Sequence, residues 1–241
     1  MNFVFAGTVI FLVSALLQGL SGFGFSILAV PLITLFIAPK TAVPILMLYS
    51  IIINIVVLYS ARKEVDIKKI WILLLAGIIG LPFGARLLVT LDGNILKVGI
   101  GILILIFGTL LLLGYRKELK HEKIAMIPIG IISGLLSGSI SISGPPIIIF
   151  LANKQLGKHS FRGNLALYFF LLNIFTIPVF FLNGLFTKEV ISYSITFLPG
   201  LIVGVIVGNL LSHKVQEQHF QKFTLALLMI MGVLAIVSGL K

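Results

Sequence analysis

The sequence predicts an all-α, polytopic integral membrane protein made of two duplicated halves, each with a helix broken or re-entrant near the membrane midplane. Three observations carry that prediction. The chain has 241 residues, of which 59% are hydrophobic and 10% charged, with mean hydropathy +1.20. Such a composition leaves nothing to cover a water-exposed surface. Apolar stretches near the roughly 20 residues a spanning helix needs recur about eight times, joined by short loops. Two of the stretches are interrupted at their centres by glycine, serine and proline. Gly and Pro there free backbone groups that lipid cannot satisfy, so such segments persist only when buried in protein or lining a watery cavity.

In chain order, Phe3–Leu20 is apolar and is interrupted by Ser21-Gly22-Phe23-Gly24-Phe25 before Ser26–Ile37 resumes with Pro31 inside. The start, Met1-Asn2-Phe3, offers no basic region, so this segment reads as a mature span and not a signal peptide. Helices are expected over Ala42–Ser60, Ile70–Leu91 and Ile95–Gly114, with a charged loop at Ala61–Lys69 and a second at Tyr115–Lys123. The second half opens with an apolar run from Ile124 to Leu151 whose centre reads SGLLSGSISISGPP, Ser133–Pro146. Ala152–Ser160 reads as a loop, followed by helices at Leu165–Leu185, Ile191–Ser212 and Phe220–Leu240. The whole chain is one transmembrane domain: a first repeat over 1–114, a linker over 115–123, and a second repeat over 124–241.

The repeat shows in LMLYSIIINI (46–55) against LALYFFLLNI (165–174), 119 positions apart. Gly80 and Gly84 with Leu87 recur as Gly204 and Gly208 with Leu211, and Leu20-Ser21-Gly22 as Leu136-Ser137-Gly138. Duplicated halves with a site at their interface are a common transporter plan. If each broken stretch crosses once, the repeats run parallel. If each enters and returns as a hairpin, they are inverted. With Ala61–Lys69 inside, the hairpin arrangement brings Lys154, Lys158, Arg162, Lys214 and Lys222 to the inner side and sends only Lys188 and Lys241 outward. The positive-inside rule therefore favours the inverted repeat.

Net charge is +11, from 18 Lys and Arg against 7 Asp and Glu. Much of that excess sets orientation, and it also suits an anionic solute or lipid surface; so little aqueous surface excludes nucleic acid. Without cysteine there is no disulfide, thiolate chemistry or Cys metal site. All seven carboxylates lie in loops or at helix edges, which argues against a cation pump and against carboxylate acid–base catalysis. The four histidines, His121, His159, His213 and His219, read as solvated loop residues with no metal-ligand spacing, so no metal, no cofactor and no enzymatic activity are expected.

The candidate substrate-binding residues come from the two breaks and a few polar groups inside helices. From the first break these are Gln18, Ser21, Gly22, Phe23 and Gly24; from the second, Ser137, Gly138, Ser139, Ser141, Ser143, Gly144 and Pro145. A helix that starts after a break points bare N–H groups and a positive dipole end into the cavity, which suits an anion. The competing reading is that the small residues only let helices pack closely, a strong rival for Gly134 and Gly138. Asn54 and Asn173, each five residues after a tyrosine, either bridge helices or donate to an oxyanion, and their equivalent places favour the second. Arg86 is an intramembrane charge and hence a candidate, with snorkelling or pairing to Asp92 as the alternative. Arg162, beside the second broken stretch, reads as a solvated loop residue, with contact to an anion as the alternative.

Taken together, LLQGLSGFGFSILAVP in the first half and GIISGLLSGSISISGPPIIIFL in the second resemble the TauE/SafE sulfite-exporter family, and the resemblance covers essentially the whole chain. It implies a multi-pass permease of the cell (inner) membrane that exports a small anion such as sulfite, a sulfonate or sulfoacetate by alternating access. Its partners would be that anion and membrane lipid, with a homo-oligomer left open. The alternative is a non-transporting membrane subunit or assembly factor, in which the repeats are packing devices.

Overall fold

A computed structural model describes residues 2–112, 122–154, 156–212, 229–230 and 232–240. Those residues form helices and contain no strand: α1 (Asn2–Ser21), α2 (Phe25–Ile33), α3 (Pro39–Ala61), α4 (Trp71–Thr90), α5 (Gly93–Leu112), α6 (Glu122–Ile140), α7 (Gly144–Ala152), α8 (Lys158–Leu182), α9 (Lys188–Thr196), α10 (Leu198–Leu211), and a last helix over 232–239. Residues 115–121 of the charged midpoint loop and the expected loop at His213–His219 lie outside the described residues, while Glu122 and Lys123, expected in that loop, open α6. Among the described residues six helices are long and apolar enough to cross a membrane, or seven if α9 and α10 count as one bent span. Of the eight expected, the span over 191–212 is the bent pair and the final stretch is described in part; α2 and α7 have only nine residues each, about 13 Å, too short to cross. Large apolar side chains such as Phe5, Phe181 and Leu182 face outward, which suits lipid contact.

Proline and glycine set most element boundaries. Pro39 starts α3 and Pro145–Pro146 sit in the first turn of α7, where missing N–H groups cost nothing to the helix. Pro199 opens α10 after Phe197, and the span expected to be continuous over Ile191–Ser212 bends there by 49°. The loop expected at Ala152–Ser160 ends early: α8 begins at Lys158 after Gly157, so His159 is helical and Arg162 falls in its second turn.

The packing is reciprocal. In the first helix pair, α6 lies along α4 in the same direction. A Cβ at Gly130, Gly134 or Gly138 would press on the carbonyl of Leu73, Gly77 or Leu81, and one at Gly80 or Gly84 on that of Ile131 or Leu135. In the second, α10 lies along α1, with Gly200, Gly204 and Gly208 against the carbonyls of Thr8, Leu12 and Leu16. Such glycine stripes allow the close backbone approach that drives helix association in lipid, where the hydrophobic effect between helices is absent. Between these pairs α3 and α8 run antiparallel: Gly163 meets Ala61 and Val65 at one end, while beyond the other end Thr41 reaches Glu189. The last helix runs antiparallel to α5, with Gly232 against Gly101 and Gly239 against Asn94.

Candidate functional site

Each break begins with a residue in the left-handed conformation. After α1 that residue is Gly22 (φ 85°), whose amide donates to the Gln18 carbonyl at 2.7 Å, and Gly24 follows at φ 101°. After α6 it is Ser141 (φ 57°), the only non-glycine residue with positive φ among the described residues. The Ser141 amide donates to the Ser137 carbonyl at 3.0 Å and the Ile142 amide to Leu136 at 3.3 Å, closing the end of the helix. The two helix ends therefore set Gly22 against Ser141, 119 positions apart like the α3 and α8 segments, and not against Gly138.

The two breaks meet inside the bundle around a small cleft. Its walls are Gln18, Phe23, Gly24, Ser26 and Ile27 from the first, Ser141, Ile142, Ser143 and Gly144 from the second, Ser50 of α3, and Phe169 and Asn173 of α8. It offers about 20 Å³ to the centres of water-sized molecules, enough for one or two waters. A Cβ at Gly24 would meet nothing within 4 Å, so the backbone there borders open space. An apolar neighbour of about 10 Å³, with Ile140, Ile142 and Pro145 in its wall, lies behind the second break.

A chain of hydrogen bonds fixes which way the polar groups point. The Phe25 amide can only donate, and it donates to Gln18 Oε1 at 3.1 Å. Gln18 must then offer its NH₂ to Asn54 Oδ1, at 3.0 Å. Asn54 in turn offers its NH₂ to Ser50 Oγ at 3.0 Å, and Asn173 Nδ2 donates to the same oxygen at 2.9 Å. With both lone pairs taken, the single Ser50 hydroxyl proton is left to donate into the cleft it lines. Turning the Asn173 amide over would hand that role to its NH₂ and leave the number of donors unchanged. Behind Gly24, α2 starts with the Ser26 and Ile27 amides, which have no acceptor within the protein among the described residues. No carboxylate lines the cleft, and the described residues hold no cluster of metal-ligating side chains. The arrangement presents hydrogen-bond donors and a positive helix end, which suits a solute made of acceptors.

Of the residues expected from sequence, Gln18, Phe23, Gly24, Ser141, Ser143, Gly144 and Asn173 line the cleft, with Asn54 directly behind it. The others lie elsewhere. Ser21 Oγ bonds the Leu17 and Phe23 carbonyls and so ties the first break to its own helix. Gly22 presses on the Arg162 side chain. Ser137 is buried in α6 beside the glycine stripe, Gly138 packs on α4, and the Ser139 hydroxyl returns to the Leu135 carbonyl at 2.8 Å. Pro145 backs the apolar neighbour. Arg86 is exposed on α4, lines no part of the cleft and forms no ion pair among the described residues. Ser26, Ser50 and Phe169 escaped the sequence reading; Ser50 precedes Asn54 by one helical turn, which is the signal that could have found it. Arg162 is not a solvated loop residue. It is 2% exposed, inside α8 and against the first break, because α1 and α10 close over it.

No curated protein and no solved structure matches the chain. A family model does, over residues 7–235, a span that takes in both breaks, α3 and α8 with their amides, and both glycine-packed helix pairs. That span is nearly the whole polypeptide, and on it the chain belongs to the Sulfite exporter TauE/SafE family.

Proposed function

We propose that this chain, a multi-pass protein of a transporter family, exports a small oxyanion such as sulfite, a sulfonate or sulfoacetate across the cell membrane by alternating access. The observation that carries the reading is the Ser50 hydroxyl. It is bonded to both Asn54 and Asn173, which leaves the Ser50–Asn173 pair with a donor over in a cleft where both breaks meet. The Ser26 and Ile27 amides add donors, and the first turn of α2 adds a positive dipole end. A cleft with room for one or two waters has to widen to hold sulfite, so the geometry corresponds to a closed stage of the cycle. An inside-negative potential favours anion exit by about 2.3 kcal/mol per charge per 100 mV.

The two halves, in this reading, are inverted repeats, with each broken stretch entering and returning on one side. The directions of the helices support it: α1 and α3 run the same way with α2 between them, and α8 runs opposite to α3. Residue 240, at the end of the last helix, then shares a side with Asn94, opposite Ala61–Lys69. A C-terminal tag should be accessible only from outside the cell, and a cytoplasmic tag would break the inverted arrangement.

The test of function is flux of sulfite and of short sulfonates in proteoliposomes. Ser50→Ala should raise the KM for the transported anion about tenfold, the loss of one hydrogen bond to a charged group. Unchanged KM in a well-folded Ser50→Ala protein, or no flux of any small anion through the native one, would overturn the proposal.

A further inference from the structure

Arg162 is the only buried charged side chain among the described residues, and it does not line the cleft. Its side chain is 2% exposed, on the second turn of α8. Nη2 donates to the Gly19 carbonyl at 2.7 Å and to Asn209 Oδ1 at 3.3 Å. Nε–H has no acceptor among the described residues. No carboxylate pairs with the guanidinium among the described residues. Asp66, at this end of the bundle, accepts from the Lys68 amide and pairs with Lys69.

A buried guanidinium without a counter-charge is costly. The carbonyl end of α1 compensates part of that cost, since Gly19 lies in its last turn and a cation there meets the negative end of the helix dipole. The neighbouring groups leave only donors over. Asn209 Oδ1 accepts from Arg162 and from Ser60 Oγ at 3.0 Å, so its NH₂ has no acceptor among the described residues. Lys158 adds a second cation, held to the Ser212 carbonyl at 3.0 Å. All of this lies at the Ala61–Lys69 end of the bundle, where Gly163 touches Ala61 and Asn164 accepts from the Asp66 amide. The first break separates it from the cleft: Gly22 presses on Arg162, Gly24 borders the cleft, and Phe23 meets Phe161 edge-on.

We propose that Arg162 and Asn209 form a second anion station, on the Ala61–Lys69 side of the first break, which takes the transported oxyanion before it passes into the cleft. The inference rests on the transport reading above, but its binding component is measured separately. Charge-assisted bonds from Nε–H and the Asn209 amide would hold one oxyanion, and the anion would be the counter-ion that the described side chains do not supply.

The experiment titrates sodium sulfite against the thermal stability of the purified full chain, for the native protein, Arg162→Lys, Ser50→Ala and the double variant. Lysine keeps a cation that can cap α1 but has no Nε–H fork. The native protein should show two saturable components, with Arg162→Lys losing one, Ser50→Ala the other and the double variant both. If Ser50→Ala alone removes all stabilisation and Arg162→Lys none, the station does not exist. Asn209→Ala keeps the Gly19 cap and should weaken the Arg162 component about tenfold; an unchanged component again overturns it. In proteoliposomes, Arg162→Lys should raise KM about tenfold only for sulfite presented on the Ala61–Lys69 face, whereas a merely structural role moves both faces together. Absent flux with an intact Arg162-dependent component would refute the transport reading and spare the binding site.

Discussion

Between α1 and α2 the chain turns on Gly22 and Gly24, whereas between α6 and α7 it turns on Ser141 and then enters two prolines. The places correspond in position along the chain, yet what they offer differs. The first turn of α2 has three amides, one committed to Gln18 and two open; the first turn of α7 has only the Gly144 amide, because Pro145 and Pro146 have none. The second break is instead braced. Tyr168 donates to Ser133 Oγ at 2.9 Å, and Ser133 donates to the Ser143 carbonyl at 2.7 Å. The residues 119 positions earlier have no such link: Tyr49 donates to the Ser194 carbonyl at 2.7 Å, and the Ser14 hydroxyl is buried without a partner among the described residues. Arg162, too, serves only the first break. A repeat in sequence therefore does not imply equal work. One break is rich in donors and turns on glycine, and the other is tied down by hydrogen bonds.

That contrast can be broken in four ways, from the largest expected effect to the smallest. Gly22→Val forces a branched residue into positive φ, about 1–2 kcal/mol by itself, and drives Cβ into Arg162 Cγ at 2.8 Å. It should abolish recovery of folded protein in size-exclusion chromatography, and a native-like yield would show that the first break does not turn on glycine as described. Gln18→Leu strands the Phe25 amide and Asn54 Oδ1, about 1–3 kcal/mol for each group. It should lower the unfolding temperature and remove flux, while Ser137→Ala, its counterpart by position, should leave flux intact. Ser133→Ala should destabilise by about 1–3 kcal/mol because the Ser143 carbonyl loses its donor, whereas Ser14→Ala should be neutral or stabilising because an orphaned hydroxyl disappears. Equal effects at Ser14 and Ser133 would erase the difference between the breaks. Ser141→Gly relieves a left-handed serine and should raise stability by up to about 1 kcal/mol in thermal unfolding; a loss would assign the serine side chain a contact that outweighs the strain.

Much of this molecule is legible in one dimension. The helices expected at 42–60 and 70–91 appear as Pro39–Ala61 and Trp71–Thr90, because hydropathy and proline are local signals. The breaks are legible for the same reason. Arg162 was not: ANKQLGKHS looks like a polar loop, and the groups that bury the arginine come from residues 143 and 47 positions away. Arg86 misled in the opposite sense, since a charge inside an apolar helix carries no mark of which face it occupies, and here it faces outward.

By itself the sequence determined a membrane-spanning, helical chain, the two places where its helices break, and the family to which it belongs, since each depends on residue type at fixed spacing. Only the tertiary structure decided which donors share a cleft, that Gln18, Asn54, Ser50 and Asn173 form one bonded chain, and that Arg162 is buried with no counter-charge among the described residues. In lipid, helices find one another through shape and small-residue contacts rather than hydrophobicity. The partners of a polar side chain are therefore set by which distant helices fit together, and no local pattern records that.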